Sequence, residues 1–349
     1  MAKLGLDGNR CQSILAHRCN FSGWVLCVGA GTSLPAFPSW NELTVNLLHS
    51  VSPNIKVDIA DFKTYSPDAC IQAIHNISKL DSNAFARKLS VALYGKLLKS
   101  LTTAQYNLIV KALVAISPEK LSKAEWEDFC SIIEAKYPEL SALLIADVIC
   151  ESVDRNLAPN SILSFNAEPM LFSLLTAKRF RQSNKKMFAR VTSSISSIRP
   201  RHIPYIHCHG LLPVPGAKKL KGTTNHGAID KLVFSEAEYL NLANSNFSWQ
   251  ATKFLEACSS SSVVFVGVSL SDPNMRRWLT WGHHNRIMEL DSQNLKHSES
   301  TNHYWLTVKP PERGDNQRYM EAMVEHLGVR IIWLDSWNDT GKVLRKMLG

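Results

Sequence analysis

The chain has 349 residues, 45% of them hydrophobic, and carries 39 Lys and Arg against 30 Asp and Glu, a net charge of +9. That is enough apolar material for one large globular domain or two ordinary ones. No apolar run approaches the roughly 18 residues that span a bilayer, residues 1–20 lack the apolar segment of a signal peptide, and the eight cysteines form no C-x-x-C pair of the kind a zinc knuckle or redox motif needs. A cytoplasmic protein with reduced thiols, no metal and no membrane contact is expected. Its positive charge favours anionic partners without choosing between nucleotide, nucleic acid and acidic protein.

In chain order, "WVLCV" (24–28) is the first strand, a continuous apolar run of the kind a sheet covered on both faces uses. An eight-residue loop (31–38) with Pro35 and Pro38 follows, long enough to fold over a ligand. "SWNE" is a capping box in which Ser39 and Glu42 start a helix near Trp40, with Leu43, Leu47 and Leu48 on its buried side. From 50 to 155 five stretches in succession carry apolar residues at i, i+3, i+4 spacing, which a strand-helix repeat does not produce, so they read as a helical insertion or small helical subdomain. Further strands are expected at 161–165, 203–207, 261–266, 303–308 and 329–334. The run "KRFRQSNKKMFAR" (178–190) concentrates six cations and reads as a solvated helix face or loop, with no nucleic-acid-binding motif beside it; "DSQNLKHSESTN" (291–302) and "KPPERGD" (309–315) read as surface loops. Strands alternating with helices predict an α/β fold. It is a Rossmann-like, mainly parallel sheet with helices on both faces, in one domain over 1–349 that holds the 50–155 insertion.

Four segments carry chemistry. After the first strand come Gly29, Ala30, Gly31, Thr32 and Ser33, where glycines let the main chain approach a phosphate or simply turn from strand to helix. "ILSFNAEPML" (162–171) ends a strand in Asn166 and Glu168, and "YIHCHGLL" (205–212) ends one in His209 and a glycine. "VVFVGVSLSDPNMRRWL" (263–279) places Gly267, Ser269 and Asp272 after a strand, with Asp272 before Pro273 as a helix N-cap. Backbone N–H groups at the start of that helix, or of the one at Trp40, are potential phosphate donors. His207 lies two residues from His209 and should point to the opposite side of its strand. His283 and His284 read as a solvated helix end, and Cys208 as packing.

These segments, in this order, resemble the sirtuin-like (SIR2-like) NAD-binding domains found in bacterial antiphage defence proteins. "LVFSEAEYLNL" (232–242) is a softer echo of a family segment with an acid and a tyrosine. The resemblance implies a catalytic Asn166 that positions the ribose or a water, and His209 as base. It assigns NAD contacts to Gly29, Ala30, Gly31, Thr32, Ser33, Trp40, Glu168, Gly267, Ser269 and Asp272, with glutamate at 168 where the family usually has aspartate. It also implies hydrolysis of NAD to nicotinamide and ADP-ribose, as the effector of an antiphage system that depletes NAD. Protein-deacylating sirtuins carry two C-x-x-C pairs for a structural zinc, which this chain lacks. The alternative is a non-catalytic NAD or ADP-ribose sensor. An enzyme that destroys NAD needs control, so a homo-oligomer or a separate activating subunit, an ATPase or nuclease, is expected as partner, with nucleic acid involved only indirectly.

Overall fold

The computed structural model of the chain describes residues 23–55, 65–183, 186–194, 196, 198–217, 232–245, 248–295, 302–310 and 315–349. The expectations for the N-terminal twenty residues, and for most of the two polar loops (296–301 and 311–314), fall outside them. The described strands are β1 (Trp24–Val28), β2 (Ser161–Ser164), β3 (Phe188–Val191), β4 (Ile203–His207), β5 (Ser262–Val266), β6 (His303–Val308) and β7 (Val329–Leu334). The helices of the first half are α1 (Trp40–Val51), α2 (Pro67–Ser78), α3 (Ser82–Leu98), α4 (Thr103–Val114), α5 (Lys123–Lys136) and α6 (Ser141–Asp154). Those of the second half are α7 (Met170–Ser183), α8 (Glu236–Asn244), α9 (Trp249–Ser260), α10 (Pro273–Ser292), α11 (Asp315–Glu325) and α12 (Thr340–Leu348). The fold is α/β, and its strands are parallel, as the apolar runs require.

The chain divides into two compact units. One comprises Met1–Thr32, Leu144–Leu163 and Phe247–Gly349. Its strands run in the order β2-β1-β5-β6-β7, and every residue of β1 and β5 is buried. Phe254 on α9 meets Phe265 of β5 and Trp278 of α10 at ring separations of 6.2 and 5.5 Å. A buried aromatic of this size contributes about 2–3 kcal/mol. At its surface the α12 guanidinium of Arg345 grips Glu151 of α6 with two bonds of 2.7 Å.

The other unit comprises Ser33–Leu143 and Ser164–Asn246 and pairs β3 with β4. The five helices read from the apolar spacing in 50–155 are present as α2 to α6; α2 to α5 lie in this unit, and α6 belongs to the first unit from Leu144 onward. Their starts are written locally: Asp81 caps α3, and Thr102 with Gln105 and Ser122 with Glu125 form capping boxes on α4 and α5. Ser39 with Glu42 does the same for α1, whose buried side holds Leu43, Thr44, Leu47 and Leu48.

Two local readings are corrected and one is made more specific. The 178–190 run is not one solvated face: its first residues end α7, where Lys178 and Arg181 pair with Glu134 and Glu127 on α5, and its last three lie in β3. There Arg190 lies 4.4 Å from the Phe172 ring centre and donates to the carbonyls of Leu113 and Ala115 at the end of α4. His283 and His284 lie inside α10, a helix of 20 residues, rather than at its end. Part of the 31–38 loop is packed: Phe37 is buried, 5.6 Å from the Tyr94 ring, and its N–H donates to Ser33 O.

Candidate functional site

The turn after β1 is built by close backbone approach. Gly29 N donates to Val266 O at 3.1 Å and Gly31 N to Gly267 O at 3.0 Å. A Cβ on Gly31 would stand 2.9 Å from Gly267 Cα, and one on Gly267, at φ +65°, would stand 2.5 Å from Thr32 N. The glycines are thus required by two loops that touch main chain to main chain, a reason the phosphate reading had not included. Ala30 to Ser33 form a short 3-10 turn, closed by Thr32 N and Oγ1 on Gly29 O. After Gly267 the chain again takes a left-handed conformation at Leu270 (φ 52°), held by the Arg276 guanidinium on the Leu270 carbonyl, while Trp305 donates to Val268 O. Ser269 is exposed, its Oγ 2.6 Å from Ser271 Oγ. Asp272 caps α10, accepting from Asn274 N and Met275 N, and Ser39 accepts from Glu42 N. These first-turn N–H groups, expected as phosphate donors, are therefore bonded within their own helices.

In the other unit a second group of predicted residues comes together. Cys208 N donates to Ser164 O and Leu212 N to Ala167 O, both at 2.8 Å, so the segments 164–168 and 208–212 run side by side. This sets Asn166 and His209, both buried, on adjacent tracks. Glu168, 3% exposed, reaches across to Ser33: Ser33 Oγ donates to Glu168 Oε1 at 2.5 Å, and Met170 N donates to Oε2. The Asn166 amide nitrogen donates to Glu168 Oε1 at 3.0 Å and to Ser33 Oγ at 3.2 Å. Its nitrogen is thereby spent on this pair, which turns Oδ1 away from it as an acceptor. Burial raises the Glu168 pKa above the usual carboxylate value, against the three donors that pull it down.

His209 meets two rings, Phe165 at 4.8 Å and Tyr239 at 5.5 Å, each nearly perpendicular to it. Trp40 faces Phe234 at 5.4 Å. His207 is fully buried, with Nδ1 3.5 Å from Asn166 O and its pKa lowered to about 3 by burial and by Arg190, so it is a neutral packing residue at physiological pH. Burial pushes the Cys208 thiol up to about 12. Among the described residues no group of three His, Cys, Asp or Glu is placed to hold a metal, and no helix is long and apolar enough to cross a membrane.

Tyr239 and Phe165 were absent from the predicted site. The tyrosine lay in the echoed segment 232–242, and the Ser235–Glu238 spacing at the start of α8 was a readable helix signal. Its neighbour on another chain segment was not. Arg190 and Tyr94 also went unmarked. The Tyr94 hydroxyl donates to Leu212 O at 3.3 Å, and burial together with the Glu168 charge holds its pKa well above the phenol value.

Compared with known families, residues 172–332 match the SIR2-like domain. That stretch takes in His209, Tyr239, Gly267, Ser269 and Asp272 and begins after Asn166 and Glu168. No curated protein matches the chain.

Proposed function

We propose, from the match of residues 172–332 to the SIR2-like domain and the geometry around Asn166, that the chain hydrolyses NAD at the nicotinamide–ribose bond. The carbon–nitrogen bond breaks, its electron pair goes to the ring nitrogen, and cationic nicotinamide leaves neutral, so no strong acid is needed. Positive charge builds on the ribose as in glycoside cleavage. Water adds to the anomeric carbon and loses a proton to His209, giving ADP-ribose. Asn166 orients the water or a ribose hydroxyl through its carbonyl oxygen.

What supports this reading above all is the Asn166 amide, pinned by its nitrogen to Glu168 and Ser33 on a segment bonded alongside that of His209. The family resemblance assigns Gly29, Ala30, Gly31, Thr32, Gly267, Ser269 and Asp272 to the dinucleotide, and Trp40 with them. It also carries the wider proposal that NAD loss is the effector step of an antiphage response, restrained until self-assembly or an activating subunit releases it.

The test is nicotinamide release from NAD by the purified full chain across a range of protein concentrations, with and without Asn166→Ala and His209→Ala. Each substitution is expected to lower kcat by about 100-fold, the range general-base and positioning residues supply, with NAD still bound. NAD binding without release at any concentration makes the protein a sensor, the reading favoured if Glu168 in place of aspartate has removed the chemistry.

A further inference from the structure

Tyr239 reaches His209 from an element outside the segments that carry the proposed chemistry. It stands on α8, and its ring meets the imidazole at 5.5 Å and 86°, alongside the contribution of Phe165 at 4.8 Å and 81°. The start of α8 is anchored three ways. Glu238 accepts the N–H groups of Phe234 and Ser235 at 2.7 and 2.8 Å, Val233 N donates to the carbonyl of His209 itself, and Ala237 N donates to the Gln72 side chain on α2 at 3.2 Å. Phe234, two residues before α8, packs on Trp40 of α1. The α8 backbone is thus tied both to the histidine it approaches and to the helices α1 and α2.

We propose that Tyr239 is a positioning residue that holds the His209 ring in one orientation, and that α2 sets its place through Gln72 and α8. A histidine ring turns about a broad second torsion, so its own backbone does not fix where the ring nitrogens point. Two nearly perpendicular rings on separate chain segments do. A base displaced by a fraction of its hydrogen-bond length loses much of its effect. A partner that moves α2 would then change the output of His209 without entering the site. The catalytic half of this statement rests on His209 acting as the base; the geometric half does not.

The experiment uses the full chain with Tyr239→Ala, Tyr239→Phe and Gln72→Ala, measuring nicotinamide release from NAD and the ring signals of histidine-labelled protein. The His209 signal is assigned by its loss in His209→Ala. Tyr239→Ala is expected to lower kcat about tenfold or more with KM nearly unchanged, and to shift and broaden the His209 signal. Tyr239→Phe, which keeps the ring, restores both, and Gln72→Ala moves both in the direction of Tyr239→Ala. A raised KM at unchanged kcat would make Tyr239 a substrate contact and overturn the proposal. So would a phenylalanine variant as impaired as the alanine one, which would mean the hydroxyl acts, or a His209 signal unmoved in Tyr239→Ala. An unmoved His209 signal in Gln72→Ala removes the link to α2. If His209→Ala releases nicotinamide as fast as the parent chain, the functional reading falls and the ring signal alone decides whether Tyr239 positions the imidazole.

Discussion

Glu168 is one methylene longer than an aspartate, and that length is what lets Oε1 meet Ser33 Oγ at 2.5 Å while Asn166 donates to the same oxygen. Glu168→Asp shortens the reach and leaves the serine and the amide competing for one another. The expected cost is about 1–3 kcal/mol in urea-unfolding free energy, the penalty of a buried polar group left short of a partner, together with slower nicotinamide release. The raised Glu168 pKa fixes the sign of a second outcome. The native state holds that proton more tightly than the unfolded chain, so this residue's contribution is fully present below the ordinary carboxylate value and is lost as pH rises through the raised native one. The difference in stability between the parent chain and Glu168→Gln should therefore fall with rising pH over that window and then level off; a difference that grows with pH contradicts the assignment. The placement of Asn166, Glu168 and His209 just after strands was legible in the sequence. Their bonds were not, since the partner of Glu168 is a serine 135 residues away in the chain.

At the scale of elements, the six helices of the first half and six of the seven described strands follow from capping signals, period and composition, because a strand buried on both faces has nowhere to hide a polar residue. β3 is the exception that shows why: "FARV" is four residues long, sits within a cationic run, and contains an arginine. Arg190 is tolerated there because α4 ends against it, the carbonyls of Leu113 in its last turn and of Ala115 at its C-cap facing the guanidinium while Phe172 covers the plane. Arg190→Lys keeps the charge and loses the planar fork, and is expected to cost about 1–3 kcal/mol in urea unfolding. The glycine loops supply a sharper case. Gly267→Ala places a methyl 2.5 Å from Thr32 N at a φ of +65°, so left-handed strain and overpacking add, for an expected loss of about 2–5 kcal/mol. Gly95, whose Cβ would meet nothing within 4 Å, is the control: its alanine variant in the middle of α3 should gain about 0.5–1 kcal/mol.

For the molecule as a whole, His207 adds a contribution to the loss of stability in acid. Its pKa falls from 6.5 to about 3 in the folded chain, so the unfolded state binds its proton first and stability drains away as pH falls through that interval, by about 1.4 kcal/mol per pH unit. Relative to His207→Asn, the parent should lose unfolding free energy below about pH 6.5 and stop losing it near 3. Cys130 and Cys208 are buried, with thiols pushed up to about 11 and about 12, and the Cys258 thiol is raised too by the same desolvation. Sulfur in that condition carries almost no thiolate at neutral pH and offers no path to a reagent. In a chain whose Cys11 and Cys19 have been replaced by serine, alkylation at these three positions would keep time with the opening of the folded state itself, a clock already wound into the interior.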